Sequence, residues 1–119
     1  MKKVLVIEDN EINLYLMRTI LQKLGHQVIE AQDGFTGVEL AKKENPDLIL
    51  MDIQLPRMDG YEATKKIRAI EETKDIPIIA ITSYAMVGDK EKILAAGCTA
   101  YIEKPIEPES FIEELKKYI

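Results

Sequence analysis

The chain has no tryptophan, one cysteine and one histidine among its 119 residues. Cys98 alone excludes an intrachain disulfide, and a reduced cytosolic thiol is the simple reading. His26 lies far from Cys98 in sequence, and the pair does not make a zinc site. Both read as structural residues. The longest apolar runs are too short to span a bilayer. Met1-Lys2-Lys3 opens with charge, but the apolar stretch Val4–Ile7 is too short for a signal-peptide core and Glu8-Asp9 follows at once. A cytoplasmic protein with no membrane association is therefore expected. The net charge of −5 disfavours direct nucleic-acid binding, which needs Lys and Arg against phosphates. Nothing resembles a zinc finger or another nucleic-acid motif. No Gly-Lys-Ser/Thr loop and no G-x-G-x-x-G follows the first strand pattern, which speaks against a nucleotide site. Linkers, low-complexity tracts and repeats are missing too.

What is present fits one domain over residues 1–119, large enough for a hydrophobic core without staples. Apolar residues make up 46% and charged residues 31%, as in a globular chain. Strand and helix patterns alternate throughout. Lys3–Ile7 is a short apolar strand. Leu14, Met17, Ile20, Leu21 and Leu24 follow at helical spacing, and Gly25 stops that helix. Gln27–Ala31 reads as a second strand. Asp33-Gly34 turns the chain into a helix striped by Val38 and Ala41, which Asn45-Pro46 breaks. Leu48–Met51 is wholly apolar, as a central parallel strand covered on both faces would be. A loop over Ile53–Asp59 leads to a helix from about Gly60 with Ala63, Ile67 and Ile70. Ile76–Ile81 is the fourth strand, and a helix with Ile93 and Leu94 stops at Gly97. Thr99–Ile102 is the fifth. Pro108 suits the first turn of a last helix that buries Phe111, Ile112 and Leu115. Repeated βα units imply an α/β fold, a doubly wound parallel sheet with right-handed crossovers. The sequence ends with that helix, so no effector domain is expected.

In such sheets ligands bind beyond the carboxyl ends of the strands. Here those ends carry Glu8-Asp9, Asp52, Thr82 and Lys104. A lone Asp at a strand end more often caps a helix, and a Lys before Pro is more often a solvated charge. The joint pattern is different: each polar residue ends a separate apolar strand. Clustered carboxylates repel, and a hard divalent cation relieves that while accepting phosphate oxygens. A carboxylate beside such a metal can become an acyl phosphate.

These segments resemble a known family. Val4-Leu5-Val6-Ile7-Glu8-Asp9-Asn10 is similar to the acidic opening of bacterial response-regulator receiver domains. Leu48 through Asp52 and on through Pro56 to Asp59-Gly60 resembles the family's phosphorylation segment. Ile81-Thr82-Ser83 resembles its switch segment, and Tyr101-Ile102-Glu103-Lys104-Pro105 its final signature. The likeness is strongest to single-domain cell-division-control regulators and to receivers of hybrid histidine kinases. It implies a flavodoxin-like (βα)5 fold with strand order 2-1-3-4-5. It implies a two-component phosphorelay in which Asp52 takes a phosphoryl group from a histidine kinase or a histidine phosphotransfer protein. Such a domain catalyses only its own phosphorylation and dephosphorylation. Asp9 and Asp52 would hold Mg²⁺, with Mn²⁺ as a substitute, Glu8 through water, and the backbone carbonyl of Gln54 as a further ligand. Thr82 and Lys104 would contact phosphoryl oxygens, and Tyr101 would move inward on activation. The Lys104-Pro105 peptide is expected to be cis. Glu8 stands where many members have Asp, and Ser83 where Ala is usual. Gln54 and Tyr84 occupy positions that tune acyl-phosphate lifetime.

The resemblance also implies a monomer, with phosphorylation-dependent dimerisation left open, and an output partner on the helix 4–strand 5–helix 5 face. Ala85, Met86 and Val87 make an apolar start to helix 4, which suits either a partner patch or core packing. Ile12, Asn13 and Leu16 on helix 1 are candidates for docking the phosphodonor. Two other readings compete. A phosphatase of the haloacid-dehalogenase type needs a second acid two residues beyond its nucleophile, where this chain has Gln54. A pseudo-receiver would keep the fold without the chemistry, against which the intact Glu8, Asp9, Asp52, Thr82 and Lys104 set argues.

Overall fold

The computed structural model describes residues 1–83 and 87–119, and of Val87 the backbone alone. The elements alternate in chain order: β1 Lys3–Ile7, α1 Glu11–Lys23, β2 Gln27–Ala31, α2 Gly34–Glu44, β3 Leu48–Asp52, α3 Gly60–Ala69, β4 Ile78–Thr82, α4 Val87–Ala96, β5 Ala100–Glu103 and α5 Pro108–Lys116. Five parallel strands form one sheet in the order β2-β1-β3-β4-β5. That is the flavodoxin-like, doubly wound α/β arrangement expected from the sequence.

Side-chain alternation divides the core into two layers. Leu5, Ile7, Ile49, Met51, Ile78 and Ala80 face α2, α3 and α4 through Val38, Ala41, Ala63, Ile67 and Ile93. Val4, Val6, Leu48, Leu50, Ile79 and Ile81 face α1 and α5 through Leu14, Met17, Leu21, Phe111 and Leu115. All residues of β3 and β4 are buried, because both strands are central and covered on both faces.

Three helices, α1, α2 and α3, begin on side-chain caps. Asn10, Asp33 and Asp59 each accept a hydrogen bond from the backbone N–H three residues on, which satisfies a donor the helix leaves open. α5 has no such side-chain cap and uses Pro108 in its first turn. Gly25 and Gly97 adopt positive φ after α1 and α4, as a left-handed stop requires.

Several boundaries differ from the sequence reading. β4 begins at Ile78, not Ile76, because Pro77 has no N–H for the ladder; its carbonyl instead accepts from Ile49. β5 runs Ala100–Glu103, one residue later than expected. Leu24 caps α1 and is 40% exposed, and Leu94 on α4 is 51% exposed, so neither belongs to a buried stripe. Ile112 and Ile70 are only half-buried. α4 starts at Val87; Ala85 and Met86 lie outside the described residues, as does Tyr84. His26 and Cys98, expected to be structural, each make a local contact. Lys2 donates its N–H to His26 Nδ1 at 3.1 Å, and buried Cys98 Sγ lies 3.7 Å from Thr64 Oγ1.

Candidate phosphoacceptor and metal site

Parallel strands all end on one edge, so the sheet itself gathers the polar strand-end residues. β1 and β3 are neighbours, and so are β3 and β4. Asp52 is the last residue of β3 and is 1% exposed. Glu8 directly follows β1 and is fully buried; its N–H still donates to Ala31 of β2 at 2.9 Å. Asp9 is exposed at the start of the turn into α1. Carboxylate oxygens of Glu8, Asp9 and Asp52 all lie within 4.8 Å of one another.

Backbone N–H groups and one ammonium tie this cluster together. Asn10 N–H donates to Glu8 Oε2 at 3.1 Å, and Gln54 N–H donates to Asp52 Oδ1 at 3.1 Å. Lys104 follows β5, and its Nζ reaches across β4 to Asp52 Oδ1 at 3.2 Å and Glu8 Oε1 at 3.4 Å. Its own N–H donates to the Thr82 carbonyl at 2.8 Å, which anchors the loop that carries it. Thr82 ends β4 and is fully buried beside this edge. The Lys104-Pro105 peptide is cis, as expected. Gly60 closes the far side of the edge. A Cβ there would lie 2.5 Å from the Asp52 carbonyl oxygen, so only glycine lets α3 start so close to β3.

The electrostatics are unbalanced. Burial pushes the Glu8 carboxyl up from 4.5 to about 7, and the adjoining Asp52 carboxyl pushes it further in that direction, while the Asn10 N–H and Lys104 oppose the rise. Glu8 Oε1 is buried and makes no hydrogen bond among the described residues. Among the described residues, the three clustered carboxylates thus have one ammonium, Lys104, which pairs with Glu8 and Asp52. The donor set is all oxygen, which suits a hard divalent cation of the Mg²⁺ class. A cation here would also give the buried Glu8 Oε1, which has the Lys104 ammonium at 3.4 Å but no hydrogen bond among the described residues, a second positive partner, so the residues fit the metal expected from the sequence.

The family profile described as response regulator receiver domain matches residues 4–116. The chain belongs to that family. It is a receiver domain of two-component response regulators, and its acidic pocket is compatible with Mg²⁺. Over 118 residues the receiver is 47% identical to the polar-differentiation response regulator DivK of Brucella ovis, covering 99% of this chain and 96% of that one. A solved receiver domain of the sensor histidine kinase PA1611 from Pseudomonas aeruginosa superposes with a TM-score of 0.91 at 38% identity, over 98% of this chain and 96% of that one. That structure has a magnesium ion coordinated in its active-site cleft. The receiver domain of Ssk1 from Saccharomyces cerevisiae, solved with the histidine phosphotransfer protein Ypd1, superposes with a TM-score of 0.92 at 31% identity, over 98% of this chain and 88% of that one.

Of the residues expected at this edge, the structure places Glu8, Asp9, Asp52, Thr82 and Lys104 there, with the Gln54 N–H on Asp52; Tyr84 lies outside the described residues. Tyr101 lies on β5, half-buried against the α2–α3–α4 layer, with Lys90 Nζ 5.4 Å from its ring centroid. Ile12 is 78% exposed on α1, whereas Asn13 and Leu16 are half-buried. Tyr15, 62% exposed on the same helix, was not among the residues singled out from sequence. Asn10 was missed as a partner of Glu8, although an Asn before a helical pattern is a readable cap. Among the described residues, no helix is long and apolar enough to cross a membrane.

Proposed function

We propose that Asp52 is the phosphoacceptor of a two-component phosphorelay and that the single domain spans residues 1–119. The observation that carries this reading is the convergence of three carboxylates and Lys104 on one sheet edge, with Asp52 at its centre. Asp9, Asp52 and the Gln54 carbonyl would hold Mg²⁺, or Mn²⁺ in its place, with Glu8 in support. When bound, the ion neutralises the carboxylates and the phosphoryl oxygens that approach them.

The chain's residues do the rest. An Asp52 carboxylate oxygen bonds to the phosphorus of a phosphohistidine as the P–N bond breaks, and the imidazole nitrogen keeps the bonding pair. Lys104, already 3.2 Å from Asp52, pairs with a phosphoryl oxygen. The Thr82 hydroxyl donates to another, and Tyr101 turns inward into the space Thr82 leaves. This two-state shift remodels the α4–β5–α5 face for an output partner. The donor is a histidine kinase or a histidine phosphotransfer protein that docks on α1 at Ile12, Asn13 and Leu16. Autophosphorylation and autodephosphorylation are the only reactions assigned to the domain. It acts as a cytoplasmic monomer and contacts neither nucleic acid nor membrane.

Intact mass after incubation with Mg²⁺ and acetyl phosphate tests the assignment. A single phosphoryl group is expected, lost with EDTA and lost in Asp52→Asn. Phosphorylation that survives Asp52→Asn, or that ignores Mg²⁺ removal, overturns it.

A further inference from the structure

The loop between β3 and α3 leaves the acidic edge at Asp52 and returns at Gly60. Its near end is tied to the site, where Gln54 N–H donates to Asp52 Oδ1 at 3.1 Å. Its far end is gripped from outside the site, by the junction of β2 and α2. Met58 presses its carbonyl against Gly34: a Cβ on Gly34 would lie 2.2 Å from the Met58 oxygen. Arg57 sits in the left-handed region, with φ 68°, which side chains with a Cβ disfavour. Its guanidinium lies 5.7 Å from the Phe35 ring centroid and 3.6 Å from Asp33 Oδ2.

Asp33 is itself fixed in place. Thr36 donates its N–H to Asp33 Oδ1 at 2.7 Å and its hydroxyl to Oδ2 at 3.0 Å. The Thr36 N–H holds the Asp33 carboxyl below its ordinary range, so the partner of Arg57 is an anion at neutral pH. Three consecutive residues, Asp33-Gly34-Phe35, therefore receive two consecutive loop residues, Arg57-Met58. The loop gains in this way an anchor whose contacts lie on Asp33, Gly34 and Phe35 and not on Glu8, Asp9 or Asp52 among the described residues.

We propose that this clasp positions the metal site: Arg57, Asp33 and Phe35 hold the 53–59 loop in the conformation that presents the Gln54 carbonyl, so that Mg²⁺ affinity depends on them. The inference rests on the reading of the Asp52 edge as a Mg²⁺ site. Its physical basis is the cost of ordering. A loop that samples other conformations binds in proportion to its competent fraction, and releasing the clasp lowers that fraction.

The test is a Mg²⁺ titration followed by amide chemical shifts in the unphosphorylated protein. Parent, Arg57→Ala, Asp33→Asn, Phe35→Ala, the Arg57→Ala/Asp33→Asn pair and Arg57→Lys are compared. Asn keeps the α2 cap while removing the charge. Each single loss of a contact is expected to weaken Mg²⁺ binding about 1.5- to fivefold, the range of one exposed ion pair or cation–π contact. The pair should be no weaker than Arg57→Ala alone, and Arg57→Lys should restore most of the affinity. Simple field effects give a different pattern. Removing a cation would then strengthen Mg²⁺ binding, removing an anion would weaken it, and Phe35→Ala would change nothing. That pattern overturns the clasp while leaving the metal site standing. A parent protein whose shifts ignore Mg²⁺ overturns the metal reading itself, and the clasp with it.

Discussion

Replacing Glu8 with Gln should make the metal-free protein more stable at pH 8. Glu8 is fully buried, and among the described residues its Oε1 has no hydrogen bond and has Lys104 at 3.4 Å as its cationic partner. Its carboxyl is raised from 4.5 to about 7, by burial first and the Asp52 carboxyl next. A carboxyl raised in the folded state gives stability that is present below 4.5 and lost as pH climbs through about 7. The full loss above that window is about 3 kcal/mol, at roughly 1.4 kcal/mol per pH unit. Gln is nearly isosteric. Its carbonyl oxygen can keep the Asn10 N–H, and Lys104 keeps Asp52 at 3.2 Å. Loss of the Lys104 pair offsets part of the gain, so Glu8→Gln should stabilise by about 1–3 kcal/mol at pH 8. At pH 5 the native Glu8 is itself mostly protonated, and the advantage should shrink towards zero. Urea unfolding in EDTA at both pH values measures this, with an unchanged denaturant slope as the sign of a pure stability change. A variant no more stable than the parent at pH 8, or equally favoured at pH 5, refutes the reasoning.

Two further perturbations probe the scaffold. Phe111 is fully buried between α5 and the sheet, so Phe111→Ala should cost about 3–5 kcal/mol in chemical denaturation. Arg68 donates to the carbonyls of Gly97 at 2.8 Å, Lys74 at 3.0 Å and Ile76 at 2.6 Å, joining the α3–β4 and α4–β5 connections at the end of the sheet away from the acidic edge. Arg68→Ala should cost about 2–4 kcal/mol and speed amide exchange in those two connections, with Mg²⁺ binding unaltered.

Much of this protein is written in local pattern. Leu48–Met51 announces a strand buried on both faces because no polar residue interrupts it, and Pro108 and Gly25 mark a helix start and stop through backbone chemistry alone. The acidic edge was legible for a related reason. In a parallel sheet every strand ends on the same side, so Glu8-Asp9, Asp52, Thr82 and Lys104 need only be strand-end residues to meet. The family resemblance then narrowed the possible chemistry to a receiver.

Other features belong to the tertiary structure. Leu24 and Leu94 keep helical spacing yet face solvent, because which stripe is buried depends on how each helix is laid on the sheet. The raised Glu8 carboxyl follows from full burial beside Asp52, which no residue type encodes. The grip of Asp33-Gly34-Phe35 on Arg57-Met58 joins segments more than twenty residues apart in sequence. Periodicity and cap residues report on contacts within a few residues of chain. Burial, like-charge crowding and contacts between loops exist only once the strands have been ordered, and that ordering decides which side chains lose water and which meet.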